Sequence, residues 1–412
     1  MDNLRIHGDR MLRNFTELSE IGATGDGGVH RPALSDAHLE ARRWLREKIL
    51  AANLEFRTDA AGNHFGRLRC GPDGAPSLLI GSHLDSVPYG GRFDGALGVL
   101  AGLEVLETIR AAGLRLPCHL EVVDFTDEEG TLVGLLGSRA LAGTLTDADL
   151  ENPRGGRAAL RAAFDHAGIA NPPAAARDPA TLAGYLELHI EQGARLTNTG
   201  ADIGIVTALV GIGSFALAFR GRADHAGTTA MDARRDAGLG AAQLMVRAHA
   251  LAIERYPGAV INFGQAEFLP GAYNIVPATA SLSLEYRAES QERLDALERD
   301  LLQLARAIAT DLDLELQTHR QGCVSPAPCS PDVRKAFSTA CDALDFRAVD
   351  LVSGAGHDTQ AMAAVCPAGM IFIPSIGGSH NPGEFAEDGD CENGANVLLY
   401  AVLSGWFGRQ TG

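Results

Sequence analysis

Several residues and motifs that mark common enzyme chemistries are scarce or missing in this chain of 412 residues. It contains only two lysines, Lys48 and Lys335, and neither stands in the glycine-rich or apolar setting that suits Schiff-base chemistry. There is no phosphate-binding loop, no G-x-S-x-G nucleophile elbow and no H-E-x-x-H zinc helix, and "GIGSFA" lacks the third glycine of a dinucleotide fingerprint. Histidine, aspartate and glutamate remain as candidates for catalysis.

Long apolar segments and paired cysteines are also missing. The N-terminal sequence has no apolar core of signal-peptide type, and the longest weakly polar stretch (205–219) is interrupted by glycines and falls short of the ~20 residues that a membrane span needs. The seven cysteines are scattered without a C-x-x-C pair, which is typical of reduced thiols in a cytosolic enzyme. We therefore expect a cytoplasmic protein.

Basic residues are in deficit, with 35 lysines and arginines against 52 aspartates and glutamates and a formal net charge of -17. This charge argues against nucleic acid and anionic membranes as partners, because both repel an acidic surface. The hydrophobic content of 46% is enough for a large core, and the chain is long for one domain. We expect two domains.

Strand-like and helical patterns alternate in the first half of the chain, at 77–85, 95–113 and 119–130. This alternation predicts an α/β domain with a mostly parallel sheet. From about Ile212 the order becomes β-α-β-β-α-β, with helices expected from Asp232 to Arg255 and from Gln291 to Asp311. This order predicts a ferredoxin-like α+β domain over residues 212–322. The α/β pattern then resumes, so the predicted α/β domain comprises residues 1–211 and 323–412.

An acidic run follows one of the predicted strands. In "VVDFTDEEG" (122–130), an apolar segment leads into Asp127, Glu128 and Glu129, which stand side by side. Adjacent carboxylates repel one another unless they face water or a cation. The run therefore indicates either a solvated turn, which is the ordinary explanation of such clusters, or a metal site.

Other potential metal ligands also stand near the ends of predicted strands or helices. His83 could bind a metal through one ring nitrogen while the carboxylate of Asp85 orients it through the other, or the two could simply satisfy each other. Asp94 precedes a predicted helix, where an N-cap is the ordinary role. His189 in "YLELHIEQG" and His380 in "SIGGSHNPGEF" could each be structural. Taken together, these residues indicate a metal site. The carboxyl ends of parallel strands meet at one edge of the sheet, which would bring the residues close together.

Several sequence blocks run in order through most of the chain: "GSHLDSVPYGGRFDGALGVLAGLEVL", "DFTDEEG" with "LGSRALAG", "ELHIEQG", "GRADHAGTTAMDARRDA", "GAYNIVP", and "SGAGHDTQAM" with "GGSHNPGEF". Together they resemble the M20-type metallopeptidase clan. The resemblance is closest to its amidase/hydantoinase/carbamoylase branch, which contains N-carbamoyl-L-amino acid hydrolases, β-ureidopropionases and allantoate amidohydrolases.

The resemblance implies two divalent metal ions per subunit, with Zn²⁺ expected and Mn²⁺, Co²⁺ or Ni²⁺ as alternatives. Asp94 would bridge the two ions. His83 and His189 would complete the protein ligands of one ion, and Glu129 and His380 those of the other. Each ion would keep an open position, as a hydrolytic site requires.

The resemblance also assigns the catalytic and substrate-binding residues. Glu128 would be the general base, and His225 would stabilise the oxyanion that develops on the carbamoyl carbon. Gln192 and Asn274 would hold the ureido and carboxylate ends of the substrate, and Arg287 would bind its carboxylate through paired hydrogen bonds. The inserted domain would act as a lid and form a homodimer.

The function implied is hydrolysis of the carbamoyl C–N bond of N-carbamoyl-L-amino acids to amino acid, ammonia and carbon dioxide. Allantoate amidohydrolase or β-ureidopropionase is the nearest alternative; an aminoacylase, a peptidase or a non-catalytic binding protein is more remote. A histidine at position 189, where the clan's peptidases more often carry a carboxylate, favours ureido substrates. Leu132 and Val133 replace an expected Arg-Phe pair, and Tyr89 and Asn381 also depart from the pattern, so the exact substrate stays open.

Overall fold

The computed structural model describes residues 4–405, which divide into two compact units. The large unit comprises the described residues up to Thr207 and from Cys329 onward, and the small unit is Ala208–Pro328. The assignment of residues 212–322 to a lid and dimerisation domain stays a prediction.

Within the described residues the chain forms eleven α-helices and thirteen strands, joined by turns and three short 3-10 helices. The helices are α1 (Gly8–Ser19), α2 (Asp36–Ala51), α3 (Ala96–Ala111), α4 (Leu136–Leu141), α5 (Arg157–Ala167), α6 (Arg195–Thr199), α7 (Ala237–Arg255), α8 (Gln291–Asp311), α9 (Pro331–Leu344), α10 (Asp358–Met362) and α11 (Asp388–Leu403). The strands are β1 (Glu55–Thr58), β2 (His64–Leu68), β3 (Ser77–His83), β4 (His119–Phe125), β5 (Leu182–Ile190), β6 (Ile203–Leu209), β7 (Gly211–Arg220), β8 (Val260–Leu269), β9 (Thr279–Ala288), β10 (Glu315–Val324), β11 (Ala327–Pro328), β12 (Ala348–Ser353) and β13 (Ala368–Ile373).

The large unit is built on a sheet of order β1-β2-β4-β3-β5-β13-β6-β11, with β12 beside β6. Its central strands β4, β3, β5 and β13 are parallel, and antiparallel strands flank them. Every residue of β3 and β4 is buried. On one face these strands pack against α3, and on the other Leu79 and Val123 share an apolar cluster with Leu141 of α4 and Met362 of α10. The predicted α/β class with a central parallel sheet is confirmed.

The parallel strands end at one edge of the sheet, and this edge collects the predicted ligands. His83 is the last residue of β3 and lies opposite Phe125, the last residue of β4, from which the chain continues into the acidic run. His189 lies one residue before the end of β5 and opposite Phe372 of β13. The parallel register thus brings residues from separate parts of the chain to one place.

The small unit has a four-stranded antiparallel sheet of order β10-β7-β9-β8, with α7 and α8 packed against it. The predicted β-α-β-β-α-β order is confirmed. Side chains of β7 and β9 alternate between buried and partly exposed, as expected when helices cover one face of a sheet. The sequence predicted that α7 would begin at Asp232, but it begins at Ala237 because Asp236 caps it by accepting the N–H of Leu239.

The longest helices, α7 and α8, have 19 and 21 residues, and both contain charged side chains. No helix between residues 4 and 405 combines the length and apolar character needed to cross a membrane. The apolar face of each helix contributes instead to the core of the small unit, where Leu244, Leu297 and Leu301 are buried.

Candidate metal centre

The imidazole of His83 is held in one orientation by the backbone. Its Nδ1 atom lies 2.9 Å from the carbonyl oxygen of Asp85, and because a carbonyl only accepts, Nδ1 must carry the proton. Nε2 is buried, has no hydrogen-bond partner, and lies 3.5 Å from both Asp94 Oδ1 and Glu128 Oε2. The sequence suggested that the carboxylate of Asp85 would orient the ring; the main-chain carbonyl of that residue does so instead.

His189 has the same arrangement. Its Nδ1 donates to the carbonyl oxygen of Ile190 at 2.9 Å, and its Nε2 accepts the N–H of Gly95 and lies 3.1 Å from Asp94 Oδ1. Gly95 has a φ of 65°, and a Cβ at this position would overlap the ring of His83, so this close approach requires glycine. Both histidines therefore direct Nε2 toward Asp94, as metal-binding histidines do.

Asp94 is not a helix cap. The N-cap of α3 is Gly95, and no side chain caps this helix. The carboxylate of Asp94 instead lies between the two histidines through Oδ1, while Oδ2 accepts hydrogen bonds from Gln192 Nε2 at 2.7 Å and Ser379 Oγ at 2.9 Å. Asp94 is thus not the expected helix cap but lies at the centre of the candidate metal ligands.

Two further buried carboxylates hold the loops that carry the candidate ligands. The two carboxylate oxygens of Asp85 accept the N–H groups of Glu128 and Glu129, each at 3.3 Å. The carboxylate of Glu384 accepts the N–H of Asp94 at 3.1 Å, although 290 residues separate the two. No role was predicted for Glu384, and its place in "GGSHNPGEF", four residues after His380, was the only available signal.

The three acidic residues of the 127–129 run have different roles in the structure. Asp127 adopts a φ of 55° and is buried, and its carboxylate accepts three successive N–H groups of residues 132–134. It therefore organises the following turn and does not face the cleft. Burial first, and then the charge of Asp85, raise the pKa of Asp127 to about 6.

Glu129 and His380 form the second candidate ligand set. Nε2 of His380 lies 3.4 Å from Glu129 Oε2 and 3.9 Å from Asp94 Oδ2. One group of mutually close ligand atoms thus contains His83, Asp94 and His189, and another contains Asp94, Glu129 and His380. The two groups share Asp94, and Glu128 belongs to neither.

The electrostatics of this cleft fit divalent cations. Burial, followed by the negative charge of Asp94, raises the pKa of Glu129 to about 8, and burial likewise raises that of Glu128 well above its usual range. Burial alone would lower the pKa of His189, but the charge of Asp94 outweighs it and raises this pKa to about 9. A proton and a metal ion therefore compete for Nε2 of His189. A cation would relieve the repulsion among the carboxylates.

Two of the predicted substrate residues lie together in adjacent loops of the small unit. His225 is exposed in the loop after β7, and its backbone pairs with that of Ile275. The N–H of Ala226 donates to the carbonyl oxygen of Asn274 at 3.0 Å, and Asn274 is also exposed. These contacts place the two side chains at the same end of the small unit.

Arg287 lies at the other end of this sheet. Arg287, near the end of β9, pairs with Ile212 near the start of β7. At the opposite end of the same strand pair, Thr279 pairs with Arg220, which is the last residue before the loop that carries His225. Eight residues of extended strand separate Arg287 from Thr279, which corresponds to about 27 Å. The guanidinium of Arg287 donates to Glu285 Oε1 at 2.8 and 2.9 Å.

Three residues that depart from the family pattern have identifiable surroundings in the structure. Leu132 is buried in a small apolar cluster that also contains Leu34 and Ile169, so its side chain contributes to packing. Asn381 stabilises the turn that follows His380, because its Oδ1 accepts the N–H of Gly383 at 2.8 Å. Tyr89 is 63% exposed, has a φ of 55°, and its ring centroid lies 4.7 Å from that of His30.

Known proteins resemble this chain over most of its length. The family model of "Peptidase family M20/M25/M40" matches residues 79–404. The chain is 39% identical to the N-carbamoyl-L-amino acid amidohydrolase of Geobacillus stearothermophilus, covering 96% of this chain and 98% of that one, and 30% identical to the allantoate amidohydrolase of Bacillus subtilis, covering 97% and 98%. The crystal structure of a hydantoinase/carbamoylase family amidase from Burkholderia multivorans superposes with a TM-score of 0.89 at 34% identity, covering 97% and 98%.

Proposed function

The chain belongs to Peptidase family M20/M25/M40, and we propose that it is a metal-dependent amidohydrolase acting on N-carbamoyl-L-amino acids. It would cleave the carbamoyl C–N bond and release the amino acid, ammonia and carbon dioxide at the cost of one water. The observation that carries this proposal is the pair of ligand sets that share Asp94, with the carboxylate of Glu128 beside them. The similarity to the Geobacillus enzyme supports the choice of substrate.

The fold family implies divalent metal binding, and the donor atoms of the cleft fit it. His83 and His189 would hold one ion and Glu129 and His380 the other, with Asp94 between them. Imidazole and carboxylate donors suit Zn²⁺, which we propose as the native ion, and also Mn²⁺, Co²⁺ or Ni²⁺. Such ions polarise a carbonyl and lower the pKa of water.

The protein side chains would divide the remaining work. Glu128, whose backbone N–H is held by Asp85, would take a proton from the attacking water and pass one to the leaving nitrogen. Gln192 would bind the ureido group, and His225 would donate to the oxygen that becomes negative. Asn274 and Arg287 would bind the substrate carboxylate, for which the planar guanidinium offers paired donors.

The distance between His225 and Arg287 supports a shared active site. Only three covalent bonds separate the carbamoyl carbon of the substrate from its carboxylate carbon, whereas the two residues lie at opposite ends of a sheet about 27 Å apart. Even long side chains cannot bridge this separation, so one small unit cannot supply both contacts to one substrate. We infer a homodimer in which His225 and Asn274 act at the partner's site.

An alternative substrate is allantoate, which also carries ureido groups and a carboxylate, and the similarity to the Bacillus enzyme favours it as the second candidate. The test is an ammonia-release assay of the metal-loaded protein against N-carbamoyl amino acids, N-carbamoyl-β-alanine and allantoate, with Glu128→Gln as the inactive control. Faster turnover of allantoate would support the alternative. Release from none of these compounds would contradict both.

A cytoplasmic location is also part of the proposal. All seven cysteines are free thiols in the structure, and six of them are buried. Unpaired thiols are the usual state in a reducing compartment. Cell fractionation with antibody detection would test this location, and recovery of the protein outside the cytosolic fraction would contradict it.

A further inference from the structure

A cavity of about 570 Å³ lies in the large unit, away from the candidate metal centre. Its lining includes Ser77, the first residue of β3, and Glu121, the third residue of β4. Of the candidate metal ligands, His83 is the last residue of β3 and Glu129 follows the end of β4. Because β3 and β4 are parallel, the cavity lies at the opposite edge of the sheet. Its volume is within the range of small-molecule sites.

Glu121 already has its charge compensated. It is buried, and Arg177 donates to both of its carboxylate oxygens at 2.8 and 3.0 Å. Arg57 donates to Oε2 at 2.8 Å and also lies over the ring of Phe65. Burial opposes ionisation of Glu121, but the hydrogen bonds and charges of these arginines outweigh it and lower its pKa to about 2.

A third arginine, Arg67, also lines this cavity but is not engaged in the same way. It stands directly opposite Glu121 in the β2–β4 register, yet its Nε lies 3.9 Å from Glu121 Oε1. This Nε is buried and has no hydrogen-bond partner, and within residues 4–405 no side chain or carbonyl accepts a hydrogen bond from the rest of its guanidinium. An arginine has five N–H donors in a planar fork, and the Arg67 side chain is 28% exposed, so its terminal nitrogens offer donors to a ligand.

The other charged groups of the lining are directed elsewhere. Asp59 accepts the N–H groups of Ala61 and Asn63, and Asp178 accepts that of Ala180, so both carboxylates organise their own turns. The formal charges of the lining, three arginines and three carboxylates, cancel. A ligand would therefore be bound by directed N–H groups and not by a net positive potential.

We propose that this cavity is a binding site for a small organic anion, held through a carboxylate or phosphate group by the guanidinium of Arg67, with Arg57 beside it. A planar guanidinium binds both types of oxyanion through two parallel hydrogen bonds, which a point charge cannot do. The volume leaves room for the organic part of the ligand. The site lies apart from the residues assigned to carbamoyl hydrolysis, so it does not depend on the proposed function.

The test uses isothermal titration calorimetry of the metal-loaded protein at constant ionic strength, with inorganic phosphate and succinate as separate probes. Arg67→Gln should raise the Kd of at least one probe by about tenfold or more, since it removes the fork. Arg69→Gln is the matched control, because Arg69 is 62% exposed, pairs with Glu55 and lies outside the lining. This control should change the Kd less than about twofold.

Anion binding at the metal centre contributes equally in all variants, so the difference between them isolates the cavity. A larger effect with phosphate would assign a phosphate ester as the ligand class, and a larger effect with succinate a carboxylate. If Arg67→Gln is poorly folded, Arg67→Lys can replace it, because this variant keeps the charge but lacks the paired N–H donors. It should also raise the Kd. Identical isotherms for the wild type, Arg67→Gln and Arg67→Lys with both probes would overturn the proposal.

Discussion

Nε2 of His189 lies 3.1 Å from Oδ1 of Asp94, and the same nitrogen accepts the N–H of Gly95. This contact links β5 to the loop before α3 and places a ring nitrogen beside a carboxylate. The other oxygen of Asp94 faces His380 at 3.9 Å, so one side chain joins both candidate ligand sets.

Activity should depend on divalent metal ions. Chelation should abolish ammonia release, and Zn²⁺, Mn²⁺ or Co²⁺ should restore it, because the ligand atoms of both sets converge in the cleft. Asp94→Asn should lose both ions, since this residue is common to the two sets. The measurement is turnover together with elemental analysis of bound metal. Full activity in a preparation verified as metal-free would contradict the prediction.

Glu128 and Glu129 should respond differently to the same substitution. Glu128→Gln should keep its metals but lose about 10² to 10⁴ in kcat, because it removes a general base. Glu129→Gln should in addition bind less metal, since Glu129 lies 3.4 Å from His380 in the second ligand set. Each variant serves as the control of the other. Equal metal content with equal loss of activity would show that the roles are wrongly assigned.

Metal affinity should increase with pH. Without metal the pKa of His189 is raised to about 9 and that of Glu129 to about 8, so both are mainly protonated near neutral pH. Ions must displace these protons, and affinity should therefore weaken as pH falls from about 9 to about 6, by up to about tenfold per pH unit for each proton displaced.

The measurement is titration of the metal-free protein with Zn²⁺ in two buffers of different ionisation enthalpy, which reports the protons released. Glu129→Gln is the control, because it removes one titrating ligand and should reduce the proton release. An affinity that stays constant between about pH 6 and 9 would argue against protons competing with metal at these residues.

Arg287→Lys should raise KM for carboxylate-bearing substrates by about tenfold or more with a smaller effect on kcat, because the charge remains but the paired donors are lost. Arg293→Lys is the matched control, since Arg293 also belongs to the small unit and pairs with a carboxylate, that of Glu289. Esterifying the substrate carboxylate should harm the wild type far more than Arg287→Lys. Equal sensitivity of both proteins would remove Arg287 from the carboxylate site.

Mixed dimers should reveal the shared active site. In a heterodimer of Glu128→Gln with His225→Ala, one site collects both lesions and the other collects neither. Random co-assembly should therefore restore roughly a quarter of wild-type activity, because about half the dimers are mixed and each has one intact site. The measurement is turnover of co-expressed variants carrying different tags, before and after purification of the mixed dimer.

The control for this experiment pairs Glu128→Gln with His189→Ala, because both residues belong to the large unit. Every site in that mixed dimer carries one lesion, so no activity should return. A Glu128→Gln/His225→Ala dimer as inactive as this control would show that His225 acts within its own chain. The metal chemistry would be unaffected by that result.

The sequence by itself determined the fold class and most element positions, because these follow from local periodicity and capping. The buried run of β3 and the bounds of α8, which begins after the capping Ser290, are examples. The family resemblance then indicated which histidines and carboxylates belong together. The start of α7 was predicted wrongly, since aspartates stand at both 232 and 236 and only Asp236 caps the helix.

Only the tertiary structure decided what each polar side chain does. Asp94 could have been a helix cap, but in the structure it lies between the candidate metal ligands. Asp127 could have faced a metal with its two neighbours, but its carboxylate instead stabilises the turn that follows it. Nothing in the sequence indicated that the guanidinium of Arg67 would lie beside Glu121 without a close hydrogen bond to it. The physical reason is that these roles depend on contacts between distant segments, such as that of Glu384 with the N–H of Asp94 across 290 residues, and local sequence carries no information about which partner the fold will bring near.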